Sequence, residues 1–480
     1  MVTLNEMFVG YNDGKTEARR RPNFEQSYFD YNGNVDTILS DECYLLLGKK
    51  GTGKSILAEY IKKKSEEDSN WFCTISSYKD FNFHELVHLK NNDIKPNEYK
   101  AIWEWLILIE LAKQCIEDTS NKTIYKENLE KFITNNFLDL KITMKKVVEI
   151  TKKASIKGMF LSLVKIGGEI GQDKKYQYGS YLDYLEDLKE NVLKCLKESD
   201  KKFTIIFDEL DDKFRNEDLY KSNIISLIKI VDKYNSYFFE NEINTKIILL
   251  LRTDIFYVLN DSDLNKIEED SSVKLEWGNN ISSDSPLFDM VLNKIKSTVP
   301  EFQNLDRTEL FNLLFPEEIK YRKANEFILG RTYFRPRDLV TYLNKIRKKD
   351  GTLTNFSANE FIATEKSYSE YLYKEVKNEL YGHLSDIKIN EGFLLLKQFK
   401  KAEFNYHEIK EYYENRTQLY KNIDLEEILK FFFDFSVLGN KQYNDAQKKY
   451  FYSWAYRENI EVDFDKKFTI HLGLRKELNL

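Results

Sequence analysis

Proline and cysteine are both scarce, with six prolines and four cysteines in 480 residues. Few prolines leave long helices uninterrupted, because proline removes a backbone donor and clashes with the preceding turn. The cysteines, at 43, 73, 115 and 195, form no C-x-x-C pair and no Cys/His ligand cluster. That excludes a disulfide-stapled scaffold and a zinc site of ordinary spacing, and they read as small buried hydrophobes. The five histidines, His84, His88, His383, His407 and His471, show no metal-like spacing either and read as structural residues. No stretch approaches the ~18 unbroken apolar residues of a membrane span. The best candidate, residues 159–168, is interrupted by Lys165. The N-terminus has neither the basic start nor the apolar core of a secretory signal, so a cytoplasmic home is the expectation. A basic surplus is missing too: 73 Lys plus Arg against 79 Asp plus Glu give a net charge of −6, which argues against a whole-protein grip on nucleic acid.

What is present is a globular composition, 42% hydrophobic and 32% charged, long enough for roughly two to four folded units. Its most informative segment is Gly48, Lys49, Lys50, Gly51, Thr52, Gly53, Lys54 and Ser55, a full match to G-x-x-x-x-G-K-[ST]. The run Tyr44-Leu45-Leu46-Leu47 before it has strand length, and Ile56, Leu57, Tyr60 and Ile61 after it recur at helical spacing. Glycines on such a strand-to-helix turn let backbone N–H groups approach phosphate oxygens at the positive end of the new helix. Lys54 is then placed to reach the β- and γ-phosphates of ATP, and the Ser55 hydroxyl to ligate Mg²⁺.

Further strands are expected at Trp71 to Ile75, Phe203 to Phe207, Lys246 to Leu251 and Val273 to Trp277. Helical patterns occupy much of the interval between the second and third of these, such as Ile102, Trp105, Leu106, Ile109 and Leu111, then Leu182, Leu185, Leu188, Val192 and Leu196. The expected fold is α/β: a P-loop NTPase parallel sheet with a helical insertion, then a helical lid and a helical, winged-helix-like C-terminal domain. The expected boundaries are an N-terminal arm at 1–40 containing Arg19, Arg20 and Arg21, a core at 41–280 with the insertion at about 85–200, a lid at 281–350, and a C-terminal domain at 351–480.

The strand from Thr204 to Phe207 ends in Asp208 and Glu209. Asp208 suits Mg²⁺, and Glu209 suits polarisation of the water attacking the γ-phosphate. Asp211 and Asp212 continue the acidic run and are alternatives in a shifted register. Arg252 follows another apolar strand at the edge where ligands collect, and its guanidinium fork suits γ-phosphate sensing. Farther on, Tyr333-Phe334-Arg335-Pro336-Arg337 opens a helix marked by Leu339, Val340, Leu343 and Ile346. Arg337 is the first choice for a basic residue folding over nucleotide, and Arg335 the second.

With these elements in order, the chain resembles bacterial P-loop ATPases of the additional-strand class, between the AAA+ and STAND families and akin to origin-recognition-like ATPases. The resemblance implies that Gly48 to Ser55 are Walker A, Asp208 and Glu209 Walker B, Arg252 sensor 1, and Arg337 or Arg335 a sensor 2 arginine, with Pro336 near the adenine as in STAND proteins. It also implies a winged helix built from residues 432–440 and 468–474. The insertion is longer than the family pattern, and no arginine finger is matched, Arg215 being a candidate. Family members are frequent in bacterial signalling and antiviral defence.

Three functions follow from this reading. The first is an ATP-hydrolysing switch controlling a protein partner or self-association. The second is a DNA-bound ATPase acting through the winged helix. From Asn355 onward, however, 19 Lys plus Arg face 21 Asp plus Glu, so charge does not support nucleic acid unless a local patch such as Lys397, Lys400 and Lys401 serves it. The third is a P-loop kinase, which the adjacent Asp208 and Glu209 and Arg252 disfavour by pointing to water as acceptor.

Overall fold

The computed structural model describes residues 2–77, 96–137, 147, 156–157, 178–179, 181–210, 217–279, 281–457 and 460–480. His84, His88, the glycine cluster at 167–171, Asp211, Asp212 and Arg215 lie outside them, as does part of the expected insertion. The chain forms two bodies. One comprises Gly33–Lys49 and Lys54–Leu275, and the other Met1–Asn32, Lys50–Gly53 and Glu276–Leu480.

The first body is built on five parallel strands: β1 (Leu45–Leu47), β2 (Trp71–Ser77), β3 (Lys202–Asp208), β4 (Thr245–Leu251) and β5 (Ser272–Lys274), in the order β2-β3-β4-β1-β5. β4 therefore stands between the phosphate-loop strand β1 and the acidic strand β3. This is the additional strand of the class that the sequence resembles, and the fold is that of an α/β P-loop NTPase. β1 and β4 are buried throughout, and β3 from Phe203 onward, as expected where helices cover both faces of a parallel sheet. Leu45, Leu47, Phe203, Ile205, Phe207, Ile247, Leu249 and Leu251 share one core cluster with the helices α2 (Pro96–Glu117), α3 (Ile124–Phe137), α4 (Leu185–Lys197) and α5 (Asp218–Glu240). Burying each large side chain there contributes about 1.5–3 kcal/mol.

Buried amides register the helices on the sheet. Asn235 Nδ2 donates to Ile247 O (2.9 Å) while its Oδ1 accepts from Ile247 N (3.0 Å), and Gln114 Nε2 donates to Thr204 O (2.9 Å). Each satisfies polar groups that are costly to leave unpaired in a core. Leu182, expected within a helical pattern, is instead 42% exposed in a 3₁₀ turn before α4. The fifth strand stops at Lys274, short of the expected Trp277.

The second body gathers the N-terminal segment into its own core, where Leu4, Met7 and Val9 are fully buried beside Leu339, Leu343 and Ile346. Leu4 N donates to Leu353 O (2.7 Å), and Arg347 Nε to Leu4 O (2.8 Å). A buried ion pair joins Glu17 to Lys294, and the Arg21 guanidinium lies 4.2 Å over the Phe8 ring, so this expected arginine of the arm packs on an aromatic. Helices α6 (Pro286–Lys296), α7 (Arg307–Leu314), α8 (Pro336–Lys349) and α9 (Ala358–Leu380) follow.

The C-terminal part then runs α10 (Asp386–Phe399), β6 (Glu403–Phe404), α11 (Tyr406–Glu414), α12 (Leu425–Asp434), β7 (Leu438–Asn444), β8 (Lys449–Ser453) and β9 (Lys467–Ile470), with an antiparallel sheet ordered β6-β9-β7-β8. Of the segments 432–440 and 468–474, expected to build a winged helix, 438–440 pair with 468–470 as β7 against β9. The hairpin proper is β7–β8, with a strand where no element was expected.

Candidate nucleotide site

In the first body, the carboxyl ends of neighbouring strands collect the expected residues. Leu47 of β1 pairs in register with Leu251 of β4, and Phe207 of β3 with Leu249, so Gly48, Arg252 and Asp208 all emerge along one edge. Gly48 N donates to Leu251 O at 3.2 Å, fixing the start of the loop against the end of β4. Lys54 opens helix α1 (Lys54–Glu66), and its Nζ donates to the carbonyls of Gly48 (2.7 Å) and Lys49 (3.2 Å). This cation is thus held inside the curve of its own loop. Ser55 follows on the same first turn.

Asp208 is buried at the last position of β3, and its Oδ1 accepts from Glu209 N at 2.8 Å. Glu209 takes a left-handed backbone, φ 61°, uncommon for a side-chain-bearing residue and recurrent at functional sites. Its Oε2 accepts from the hydroxyl of Ser77, the last residue of β2, which pairs in register with Asp208. Sequence reading missed Ser77, since a serine closing a strand carries no motif. Its place comes from the β2–β3 register.

Arg252 is buried, and its fork meets Asp254: Nε to Oδ1 at 3.0 Å and Nη2 to Oδ2 at 2.5 Å. The guanidinium expected to sense phosphate is thus half-neutralised by a carboxylate two residues on, and any phosphate contact has to share the fork with it.

In the second body, the segment Lys50–Gly53 meets the start of α8. Gly51 and Gly53 have φ of 84° and 108°, a conformation open to glycine and strained for other residues. Arg335 N-caps α8 and Pro336 is its first residue, the position where a missing N–H costs nothing. The Arg335 guanidinium, buried, donates to Lys50 O (3.0 Å), Asp338 Oδ2 (3.1 Å) and Glu379 Oε1 (2.5 Å). Burial opposes its charge, yet Asp338 and Glu379 together hold its pKa well above the usual arginine range. Arg337 approaches differently. Its backbone N–H faces Gly51 O at 3.4 Å, its Cβ lies 3.2 Å from where a Gly51 Cβ would stand, and its guanidinium turns to Asn12 O (3.0 Å) and Glu375 Oε2 (3.3 Å). Of the two arginines, the second choice therefore sends its charge to the loop segment. Lys50 pairs with Glu375 at 3.4 Å, and Trp277 Nε1 donates to Thr52 O at 2.7 Å.

A family model described as the FunZ-associated C-terminal helical domain matches residues 285–377. The match begins one residue before α6 and ends within α9, well under half of the chain. No curated protein matches. Among solved structures, the chain is similar to the Orc1 protein of Aeropyrum pernix in complex with DNA, at 10% identity and a TM-score of 0.35, over 98% of this chain and 93% of that one. It is also similar to Cdc6p of Pyrobaculum aerophilum (10%, TM-score 0.31, 100% and 98%) and to Drosophila ORC bound to DNA (12%, 0.25, 91% and 88%). Likenesses this distant carry no argument for chemistry, which rests on the sheet order and the residues along its edge.

Elsewhere, the expected basic patch is tied down: Lys397 pairs with Glu477 (3.2 Å) and Lys401 with Glu408 (2.6 Å). His471 is buried against Tyr333, with ring centroids 4.4 Å apart, and its Nδ1 accepts from Gly473 N. Burial and nearby arginines hold its pKa well below the usual range. Burial pushes the Cys73 thiol up to about 12. Among the described residues, no group of three or more His, Cys, Asp or Glu is placed to hold a metal, and no helix is long and apolar enough to cross a membrane.

Proposed function

We propose that this chain is a magnesium-dependent ATPase of the AAA+ type that works as a molecular switch, its nucleotide state controlling contact with a protein partner or with further copies of itself. The observation that carries this reading is the sheet edge, where a Walker-type loop, an Asp-Glu pair and an arginine end adjacent parallel strands with the additional strand between loop and acids. The residues fit nucleotide and metal: left-handed glycines at 51 and 53, Lys54 curled inside its loop, and a buried carboxylate at the end of β3. When bound, ATP and Mg²⁺ supply the electrophilic phosphorus and neutralise its oxygens.

In this reading Lys54 would exchange its loop carbonyls for phosphate oxygens, Ser55 and Asp208 would hold the metal, and Glu209 would accept a proton from water. Arg252 would register the charge that hydrolysis removes, and in the second body Arg335 holds Lys50 O while Arg337 steadies the backbone of Gly51. The STAND alternative leans on Arg252 and Pro336, and the pairing of Arg252 with Asp254 weakens that support. A signalling or antiviral setting remains an implication of family resemblance.

Phosphate release by the full chain with ATP and Mg²⁺, without any added acceptor, tests the activity. Lys54→Ala is expected to lose ATP binding, and Glu209→Gln to keep binding while losing hydrolysis. Wild-type turnover by Glu209→Gln would refute the base assignment, and a requirement for an acceptor would favour the kinase reading. Equal oligomer masses with ADP and a non-hydrolysable ATP analogue would count against nucleotide-driven assembly.

The second reading, a DNA-bound ATPase, draws on the C-terminal order helix, strand, helix, helix, hairpin, which is that of a winged helix. Its third helix, α12, exposes Glu426 and Asp434 beside Lys430, with Asp424 exposed at its N-cap. A helix with that surface repels duplex phosphates rather than entering a groove.

A further inference from the structure

The outer face of the C-terminal sheet carries chemistry that the nucleotide site does not use. Successive strand residues point to opposite faces, and residues directly opposite on antiparallel neighbours share a face. Tyr443 stands opposite Tyr450, and Lys441 opposite both Tyr452 on β8 and Lys467 on β9. Tyr443, Tyr450, Tyr452, Lys441 and Lys467 therefore lie on one side of the sheet, while Phe468 and Ile470, on the other, enter the core. The three rings are 45%, 55% and 43% exposed. A cross-strand tyrosine pair helps hold a hairpin together, which accounts for Tyr443 and Tyr450, whose ring centroids are 5.0 Å apart. It does not account for a third exposed ring, or for the lysines around them.

Those lysines give the patch its sign. Lys441 Nζ sits 4.2 Å from the Tyr450 ring and 5.5 Å from Tyr452, and it engages both oxygens of Glu403 at 2.8 and 2.7 Å, neutralising that carboxylate. Lys448 is exposed in the turn at the hairpin's far end beside Asp445, while Lys449, opposite Asn444, lies on the other face over Phe451. On this face and its turn Lys441, Lys448 and Lys467, the last 4.0 Å from Glu403, stand against Glu403 and Asp445, a local surplus of one positive charge in a protein of net charge −6. Flat aromatic faces ringed by ammonium groups match unstacked bases on a phosphate backbone, because every base has a π-face and the lysines meet the phosphates. A duplex keeps its bases stacked inside and offers no such faces.

We propose that this sheet face is a stacking platform for single-stranded nucleic acid, with Tyr443, Tyr450 and Tyr452 meeting bases and Lys448 and Lys467 meeting phosphates. The site does not depend on the ATPase reading and stands if that fails.

Fluorescence anisotropy of the full chain with labelled oligothymidine and oligouridine, about twenty nucleotides long to span a site of this size, tests it. Binding should weaken as salt rises, and a duplex of equal length should bind more weakly. Tyr450→Ala and Tyr452→Ala should each weaken single-strand binding on the order of tenfold, and Tyr450→Phe should preserve it. The double variant Lys448→Gln/Lys467→Gln should flatten the salt dependence, and it keeps the test valid if an alanine variant misfolds. Absence of binding at low salt, equal affinity for duplex, or tyrosine variants that bind as the wild type would overturn the proposal. The last of these, joined to tyrosine-dependent capture of a protein, would assign the face to a protein partner instead.

Discussion

Removing the Ser77 hydroxyl probes how Glu209 is controlled. In the structure Ser77 donates to the Glu209 carboxylate from the end of the neighbouring strand, and the left-handed backbone at Glu209 points the side chain that way. A hydrogen bond to an ionised group contributes about 1.5–3 kcal/mol net. Both residues are only half-buried, so water competes and the lower end applies. If Glu209 must leave Ser77 to reach the attacking water, that contribution is a barrier to the active arrangement. At 1.4 kcal/mol per factor of ten, Ser77→Ala should raise kcat roughly tenfold with ATP affinity unchanged. Steady-state phosphate release at saturating ATP gives the first quantity, and equilibrium binding of a fluorescent ATP analogue the second. In a Glu209→Gln background, itself expected to lose about 10²–10⁴ in kcat, Ser77→Ala should change nothing, because the two residues act as one pair. A fall in kcat in the single variant, or the same rise in both backgrounds, would refute the reasoning.

Three further outcomes follow from particular contacts. Arg335→Ala should destabilise the protein by about 3–5 kcal/mol, read as a lower urea midpoint, because it leaves Glu379 and the buried Asp338 without their cation. A loss under ~1 kcal/mol would show the network to be dispensable. Lys246, buried and donating to Ser40 O, has its pKa held down to about 8, so the unfolded chain binds more protons between about 8 and 10.5 and stability rises with pH across that window. The contribution is fully present only above the unfolded value and is lost as pH falls through about 8; Lys246→Met should remove this dependence from urea midpoints measured at pH 7 and pH 10. Gly392→Ala places a methyl 2.6 Å from Ile428 Cγ1 and 2.8 Å from Phe432 Cζ between α10 and α12, and should cost about 1–3 kcal/mol in thermal unfolding despite the gain in helix propensity.

The parts of the site that were legible in the sequence are those whose chemistry lies in consecutive residues. Glycine spacing, an apolar run before it and an amphipathic run after it announce Gly48 to Ser55. Four apolar residues and Thr204, from Phe203 to Phe207, followed by Asp208 and Glu209 announce the acidic strand, because a strand buried on both faces reads as a nearly continuous apolar run. What stayed hidden depends on which strands become neighbours. Ser77 matters only because β2 pairs with β3 in a register that brings position 77 beside 208, and Asp254 only because Arg252 caps a short helix that returns it to the fork. Arg335 and Arg337 flank one proline and look alike in sequence. The fold separates them, since the N-cap residue points its side chain at Lys50 while the second helical residue offers Gly51 its backbone N–H. β8 went unread for a related reason. Lys449-Tyr450-Phe451-Tyr452 has no polar alternation because both of its faces stay outside the core, so the cue that marks a half-buried strand is absent. An aromatic run that alternates with nothing is silent about secondary structure. Once its exposure is known, that same lack of alternation points away from packing and toward a ligand.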